Sequence, residues 1–485
     1  MRRFGGLGRP LVGCAPLMAT ELESGVAGDR SLGLAPAVAV VAGSMLGIGI
    51  FLAPAAVAAE LTGPGYFLLI WLLGGLAALC GALCVAELGA MLPQAGGDYP
   101  YLRLAYGPGI AFSAGWLQLL ATFPGSLAAM AVGVASYQLP VLLGEDFART
   151  VELGPLTLDA PVFWGAVIVV GLTALNHVGV VVSGRAQLLL TSAPLVVLFI
   201  ASLALVGGIG VDSLSGWLAH GELHAPPAIG AWARAYLPVY FAYSGWNAAI
   251  YIGSEIRAPG RNLPRAVLGG TGLVVIFYMV LCAGFLSIFP LEELASAGEA
   301  GTAAARQLFG AAGVIAVTTL IALAMLGSIN GTVLTGSRIG FAMAEGGHCP
   351  PKAAALDRRF GTPVVALWVQ AALALVLIAT RSFEQLLGYA SCAMLLSGTL
   401  TVLSVVVLRR RLPAIDRPYR LPSALYPLAP LLYAGSSALV LAVLIFERDL
   451  SVLLAVGWFL VALAVHAIFL ARRDRERELA AARQS

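Results

Sequence analysis

Twelve apolar runs divide the chain, each long enough to cross a bilayer core of about 30 Å at about 1.5 Å of helix rise per residue. They lie near 34–61, 65–92, 110–140, 161–176, 186–208, 230–256, 265–289, 312–344, 363–380, 384–408, 425–446 and 451–471. The run at 161–176 is short for a span, which predicts a helix that starts earlier or tilts little.

Two runs are interrupted. The first contains Gly43-Ser44-Met45-Leu46-Gly47-Ile48-Gly49-Ile50-Phe51. A glycine inside a helix costs roughly 1 kcal/mol relative to alanine, and an unpaired backbone group in hydrocarbon costs several kcal/mol. Such a break persists only where the opened backbone is buried in protein or lines a cavity. A matching break, Phe241-Ala242-Tyr243-Ser244-Gly245-Trp246-Asn247, falls in the sixth run. Five spans separate the two, an odd number, so spans 1–5 and 6–10 are expected to form a repeated unit of opposite topology. The expected division is an amino-terminal arm at 1–33, a first repeat at 34–208 and a second at 209–408. A connecting loop with spans 11 and 12 follows at 409–471, then a tail at 472–485.

Composition narrows the class. With 59% hydrophobic and 11% charged residues and a mean hydropathy of +0.90, the chain is too apolar for a soluble protein, whose charged fraction is about 25%. All but Arg149, Arg234, Arg306, Arg381 and Arg448 of its 28 Lys and Arg fall in the two termini and the even-numbered gaps. That asymmetry predicts a multi-pass protein of the plasma (inner) membrane with both termini cytoplasmic. No compact apolar core with a cleavage site opens the chain, so the first span is expected to be its own targeting signal. The net charge of +3 follows from membrane orientation and implies no nucleic-acid partner.

Of the six cysteines, Cys80, Cys84, Cys282 and Cys392 lie in apolar runs, and Cys14 and Cys349 on the side expected to be cytoplasmic. No spacing suits a metal. The loop at 143–160 holds no cysteine, so no disulfide-linked heavy subunit is expected. No cofactor is implied, and no cluster of His, Asp, Ser or Cys points to an enzyme.

The breaks carry the chemistry. Free amides and the positive dipole end at a half-helix amino terminus attract an anion such as a carboxylate, and Gly47, Ile48 and Gly49 are placed to donate them. Upstream, the carbonyls of Ser44 and Met45 end the other half-helix and favour a cation. At the second break the carbonyls of Phe241, Ala242 and Ser244 offer a place for an ammonium, with an aromatic of the same stretch, Phe241, Tyr243 or Trp246, to close over it. Glycines alone also fit close helix packing; the second break is what favours a site. An amino acid carries both groups that such a site would hold.

The sixth span continues through Glu255 into Asn262-Leu263-Pro264. Further landmarks are Glu87, Pro93, Gly96-Gly97, Tyr99, Ser337-Arg338, Glu345-Gly346, Gly361-Thr362-Pro363 and Arg417-Pro418-Tyr419-Arg420. With the Gly-Ile-Phe of the first break and the Gly-Trp-Asn of the second, these resemble the amino acid-polyamine-organocation transporter superfamily over roughly residues 34–425. The nearest branches are the L-type and bacterial neutral amino acid ones. The resemblance implies an all-α integral membrane fold of 12 transmembrane helices: a five-plus-five inverted repeat with broken helices 1 and 6, plus two extra helices. It implies alternating access, with amides near Ile48 and Gly49 on the substrate carboxylate and carbonyls of Met45, Phe241 and Ser244 on its amine. Phe241 would be the aromatic gate.

Three positions depart from the family pattern. Ile48 stands where many relatives have serine, which keeps the amide, drops a hydroxyl and makes the pocket more apolar. Pro194 stands where some relatives place a lysine in the fifth span. Asn247 stands where an acid-resistance branch tends to carry glutamate. Glu87, Arg185 and Glu255 are the candidates for a gate network, and no acid is predicted beside the breaks. Leu117, Phe123, Ser391 and Met394 are weaker candidates for the lining. The expected function is secondary transport of neutral L-amino acids, as an exchanger or a carrier that uses protons as coupling ion. The alternatives are a cationic amino acid or polyamine antiporter of the same fold and, in a different class, a channel or amino acid sensor.

Overall fold

The apolar runs fold as helices because backbone polar groups in a bilayer have to be satisfied within the protein, and a helix does so within one segment. A computed structural model describes residues 30–144, 147, 149–153, 156–209, 226–380, 383–474 and 476. Most of the amino-terminal arm and of the tail, and Arg381, lie outside these residues.

The first run forms α1 (Leu34–Met45) and α2 (Gly49–Glu60), followed by α3 (Pro64–Met91), a short α4 (Asp98–Tyr106) and α5 (Pro108–Leu143). A two-stranded hairpin, β1 (Val151–Leu153) and β2 (Leu156–Leu158), leads into α6 (Ala160–His177) and α7 (Val180–Ile209). The sixth run forms α8 (Ile229–Tyr243) and the single turn α9 (Ala248–Tyr251). Then come α10 (Pro259–Ile288), α11 (Leu291–Ser296), α12 (Ala300–Glu345), α13 (Val364–Thr380), α14 (Phe383–Arg411), α15 (Leu428–Phe446) and α16 (Leu450–Asp474).

Among the described residues, ten helices are long and apolar enough to cross a membrane, counting α1 with α2 as one. The ninth run gives the shorter α13, and the sixth is divided between α8 and α9. Large apolar side chains such as Leu189, Val196, Ile200 and Phe469 are exposed, as a lipid-facing belt requires.

Two devices position the centre. Leu32 pairs with the segment after α9, its N–H donating to Glu255 O at 3.0 Å and its carbonyl accepting from Arg257 N at 2.8 Å. The chain ahead of α1 is thereby fastened to the chain behind α9. In α5, two π-turns, Gln118–Thr122 and Val134–Gln138, are followed by Pro124 and Pro140. A proline lacks the N–H of the regular ladder and its ring crowds the carbonyl one turn back, so the turn ahead of it widens.

The arginine-rich end is held by buried ion pairs. Glu87 of α3 accepts from Arg409 Nε at 2.9 Å and from Leu421 N at 2.7 Å, with Arg417 Nε at 3.3 Å. Glu255 pairs with Arg338 of α12 at 3.0 Å. At the opposite end Arg234 bridges Glu60 at 3.0 Å and Glu447 at 3.1 Å, with much of all three side chains exposed. The single gate network expected of Glu87, Arg185 and Glu255 is therefore not what forms. Glu87 sits under the α14–α15 loop, Glu255 faces α12, and Arg185 is exposed and in no ion pair among the described residues.

Removing one partner of a buried pair strands the other charge, which costs about 3–5 kcal/mol. Glu87→Gln is thus expected to lower the melting temperature of the detergent-purified protein. Glu60→Gln, in the exposed triad, should change stability by no more than about 1 kcal/mol.

Candidate functional site

Between Met45 and Gly49 the helical ladder is interrupted. Gly47 N–H turns back to Met45 O at 2.8 Å, and Ile48 O begins the new ladder by accepting from Phe51 and Leu52 N–H. The N–H groups of Ile48 and Gly49 have no backbone acceptor among the described residues. Of the three amides expected to be free, Gly47's is thus taken. At the second break Ser244 N–H returns to Phe241 O at 3.0 Å, and α9 starts after Asn247.

The breaks lie against each other. A Cβ on Gly49 would collide with the backbone of Ala242, and one on Gly245, whose φ is +97°, would stand 2.8 Å from the carbonyl carbon of Ser44. Only glycine combines that left-handed backbone with so close an approach. The Tyr278 hydroxyl of α10 donates to Met45 O at 2.5 Å and has Ala242 O within reach at 3.1 Å.

A cavity of about 70 Å³ opens between the breaks, lined by Ser44, Met45, Gly47, Ile48 and Gly49 on one side and Phe241, Ser244, Trp246 and Asn247 on the other. By the space one water needs, it holds a few waters or a small organic molecule. α5, α12 and α14 complete the wall, among others with Thr122, Ser126, Ser328, Thr332 and Ser397. Phe123 and Met394 also line it. Leu117 and Ser391 do not; the Ser391 hydroxyl bonds Leu387 O within its own helix.

Several expected contacts are corrected. Ala242 and Tyr243 lie outside the lining: Ala242 packs on Gly49, and the Tyr243 ring packs against Trp71, Tyr278 and the glycines Gly74 and Gly75 of α3. Trp246 lines the cavity, with its ring packed onto Gly81 and Tyr433. The carbonyls of Met45 and Phe241 already accept hydrogen bonds, the latter also from the Ser244 hydroxyl at 2.7 Å. Ile48 presses its side chain against Gly133 of α5, so the wall is more polar than its replacement of a serine suggested. Where the fifth span was read for a missing lysine, Gln187 and Thr191 of α7 face Gly43 instead.

The acid that the sequence reading did not expect is Asp98, at the start of α4. It lines the cavity and is 2% exposed. Its Oδ2 accepts from Gln118 Nε2 at 2.6 Å and from Tyr251 OH at 2.9 Å, while Asn247 Nδ2 stands 3.5 Å from Oδ1. Burial pushes the carboxyl up to about 6, against hydrogen bonds from Tyr251, Gln118, Asn247 and Thr401 that pull it down. The signal in the sequence is Gly96-Gly97, both with positive φ, which carry the chain under Tyr251; a Cβ on Gly97 would strike that ring.

Among the described residues, three buried polar atoms in the wall have no partner: Ser44 Oγ, Gln118 Oε1 and Thr122 Oγ1. Native proteins rarely leave such groups unpaired unless something else satisfies them. Elsewhere His348 and His466 Nε2 converge on Asp474 Oδ2 at 3.0 and 2.8 Å, and Tyr99 OH bonds His348 Nδ1 at 2.8 Å. Their ligand atoms lie close enough to hold a metal, a grouping that no sequence spacing brought out.

A sequence profile of amino acid permeases matches residues 32–470. The chain belongs to that family. The permease is similar to the mouse large neutral amino acids transporter small subunit 2, at 31% identity over 84% of this chain and 76% of that protein. It is similar to the mouse b(0,+)-type amino acid transporter 1, at 29% identity over 93% and 90%. The serine/threonine exchanger SteT of Bacillus subtilis (strain 168) matches at 30% identity over 85% and 90%. The permease is thus a multi-pass membrane protein of amino acid transport and not an enzyme.

An unpaired buried hydroxyl costs about 1–3 kcal/mol. Ser44→Ala in the permease is expected to hold or raise the melting temperature while weakening amino acid uptake, so stability and function should move in opposite directions.

Proposed function

We propose that the permease carries small neutral L-amino acids across the plasma (inner) membrane by alternating access. The observation that carries this is the cavity between the two breaks, with the unbonded Ile48 and Gly49 amides and the orphaned Ser44 hydroxyl at its wall. The amides take the substrate carboxylate, as a half-helix amino terminus favours. The Ser244 carbonyl takes the amine, since Met45 O, Phe241 O and Ser44 O already have donors, the last from the Ser328 hydroxyl at 3.1 Å. Ser126, Ser328, Thr332 and Ser397 then face the substrate side chain. Of the substrate classes in the relatives' names, serine and threonine best suit a small cavity walled by hydroxyls.

The twelve-span, five-plus-five inverted repeat belongs to the same reading. α3 packs on α10 and α6 on α13, the second span with the seventh and the fourth with the ninth, as a pseudo-two-fold axis requires. Both termini then lie in the cytoplasm, and 34–208 and 209–408 are the repeats. Glu255–Arg338 closes the cytoplasmic side and Glu60–Arg234–Glu447 the outer side, and Phe241 covers the substrate from outside.

Purified protein in liposomes loaded with unlabelled serine should accumulate radiolabelled serine, alanine and threonine by saturable counterflow, without unitary currents. Tryptophan and arginine should compete at least about tenfold less well, because size and an unpaired buried charge each cost a kcal/mol or more. Uptake of no small amino acid would overturn the proposal. Gly49→Val should abolish counterflow by parting α2 from α8, and Gly49→Ala should weaken it less.

A further inference from the structure

Asp98 is a buried carboxylate in the cavity wall with no cationic side chain beside it among the described residues. The described residues that surround it are neutral donors. α5 presents Gln118, α9 presents Tyr251 and the preceding turn Asn247, and α14 presents Thr401. The titratable groups facing it are all tyrosines: Tyr101 on its own helix, Tyr240 and Tyr251 from the two halves of the sixth span, and Tyr433 of α15. None of these brings a positive charge, and a carboxylate in such a place is stable only if it meets a cation or takes up a proton.

The two oxygens are not equivalent. Oδ2 holds two short bonds, from Gln118 and Tyr251, whereas the Asn247 amide stands 3.5 Å off Oδ1, leaving a position there for a hydrogen. Two cations could answer the charge: the cationic side chain of a substrate, or a proton. A cavity of about 70 Å³ that also has to hold an amino acid backbone has little room for an extended cationic chain, and a proton needs none.

We propose that Asp98 is the proton-binding site of the permease, taking up one proton on Oδ1 with the amino acid and releasing it to the side where the amino acid leaves. The inference rests on the transport reading above and adds its coupling ion. Asp98 links α4, α5 and the α8–α9 turn at the cavity wall, so its protonation changes the bonds that join the wall. Ionised, it accepts from Gln118, Tyr251 and Asn247; protonated, it has one acceptor position fewer and a hydrogen to donate into the cavity. Asn247, where an acid-resistance branch tends to carry its glutamate, is then a partner of the acid rather than the acid itself.

The test uses full-length protein in liposomes that trap a pH-sensitive dye. Serine added outside should acidify the lumen, and an inward proton gradient should concentrate radiolabelled serine several-fold. Asp98→Asn should lose both the acidification and the gradient drive, whatever level of serine counterflow it keeps. Should that variant be inert or fail to fold, Tyr251→Phe decides. Loss of a donor to the ionised carboxylate raises its pKa, so the pH of half-maximal gradient-driven uptake should move up by about half a unit or more. Serine counterflow in wild type without acidification overturns the inference and leaves the transport reading standing, whereas absence of counterflow in wild type overturns both. Asp98→Asn that acidifies like wild type, or Tyr251→Phe with an unmoved midpoint, also overturns the inference. So does a variant Asp98→Asn that loses arginine counterflow alone, which would assign the carboxylate to a cationic substrate.

Discussion

The backbone opened between Met45 and Gly49 has to be answered inside the protein, because the bilayer core offers no water to bond it. Much of the centre follows from that constraint. One side chain, Tyr278, supplies a hydroxyl to Met45 O and stands within reach of Ala242 O, so the carbonyls left by both breaks are drawn to one donor on α10. Gly49 and Gly245 let the breaks approach until each touches the other's backbone. With the carbonyls answered from α10, the unbonded amides of Ile48 and Gly49 border the cavity. Protein packing satisfies the carbonyls of Met45 and Ala242 and leaves the amides of Ile48 and Gly49 unbonded among the described residues.

What could be read from the sequence was whatever depends on position along one segment. Glycines at Gly43, Gly47 and Gly49 interrupt an apolar run, and a second interruption at Ser244-Gly245 makes a pair, so the place of the cavity between the breaks is legible in the sequence. Side-chain direction is not. Trp246 and Tyr243 neighbour the same break, yet Gly81, Gly74 and Gly75 of α3 clear room for both rings, and of the two only Trp246 also lines the cavity. A segment's neighbours across space, rather than its own residues, settle such directions. Asp98 was missed for the same reason: it lies between spans in sequence, and only the sharp Gly96-Gly97 turn brings α4 under the sixth span. Ile48 alone points to an apolar wall, but α5, α12 and α14 contribute hydroxyls to that wall.

The ion pairs at the two ends differ in burial, and that sets how they resist opening. The Glu255–Arg338 pair has side-chain exposures of 15% and 4%, against 47% for Arg234 in the opposite triad. Exposed pairs are worth roughly 0–1 kcal/mol, while separating a buried pair leaves charges whose desolvation has already been incurred and costs several kcal/mol. Glu255 sits directly behind α9, in the segment that Leu32 fastens to the start of α1. Parting Glu255 from Arg338 would therefore move the arginine-rich ends of α1 and α9 together. For the alternating access proposed above, the arginine-rich side is the one whose opening requires compensation. A substrate that satisfies the orphaned groups of the cavity, with a proton on Asp98, acts on the wall next to that lock.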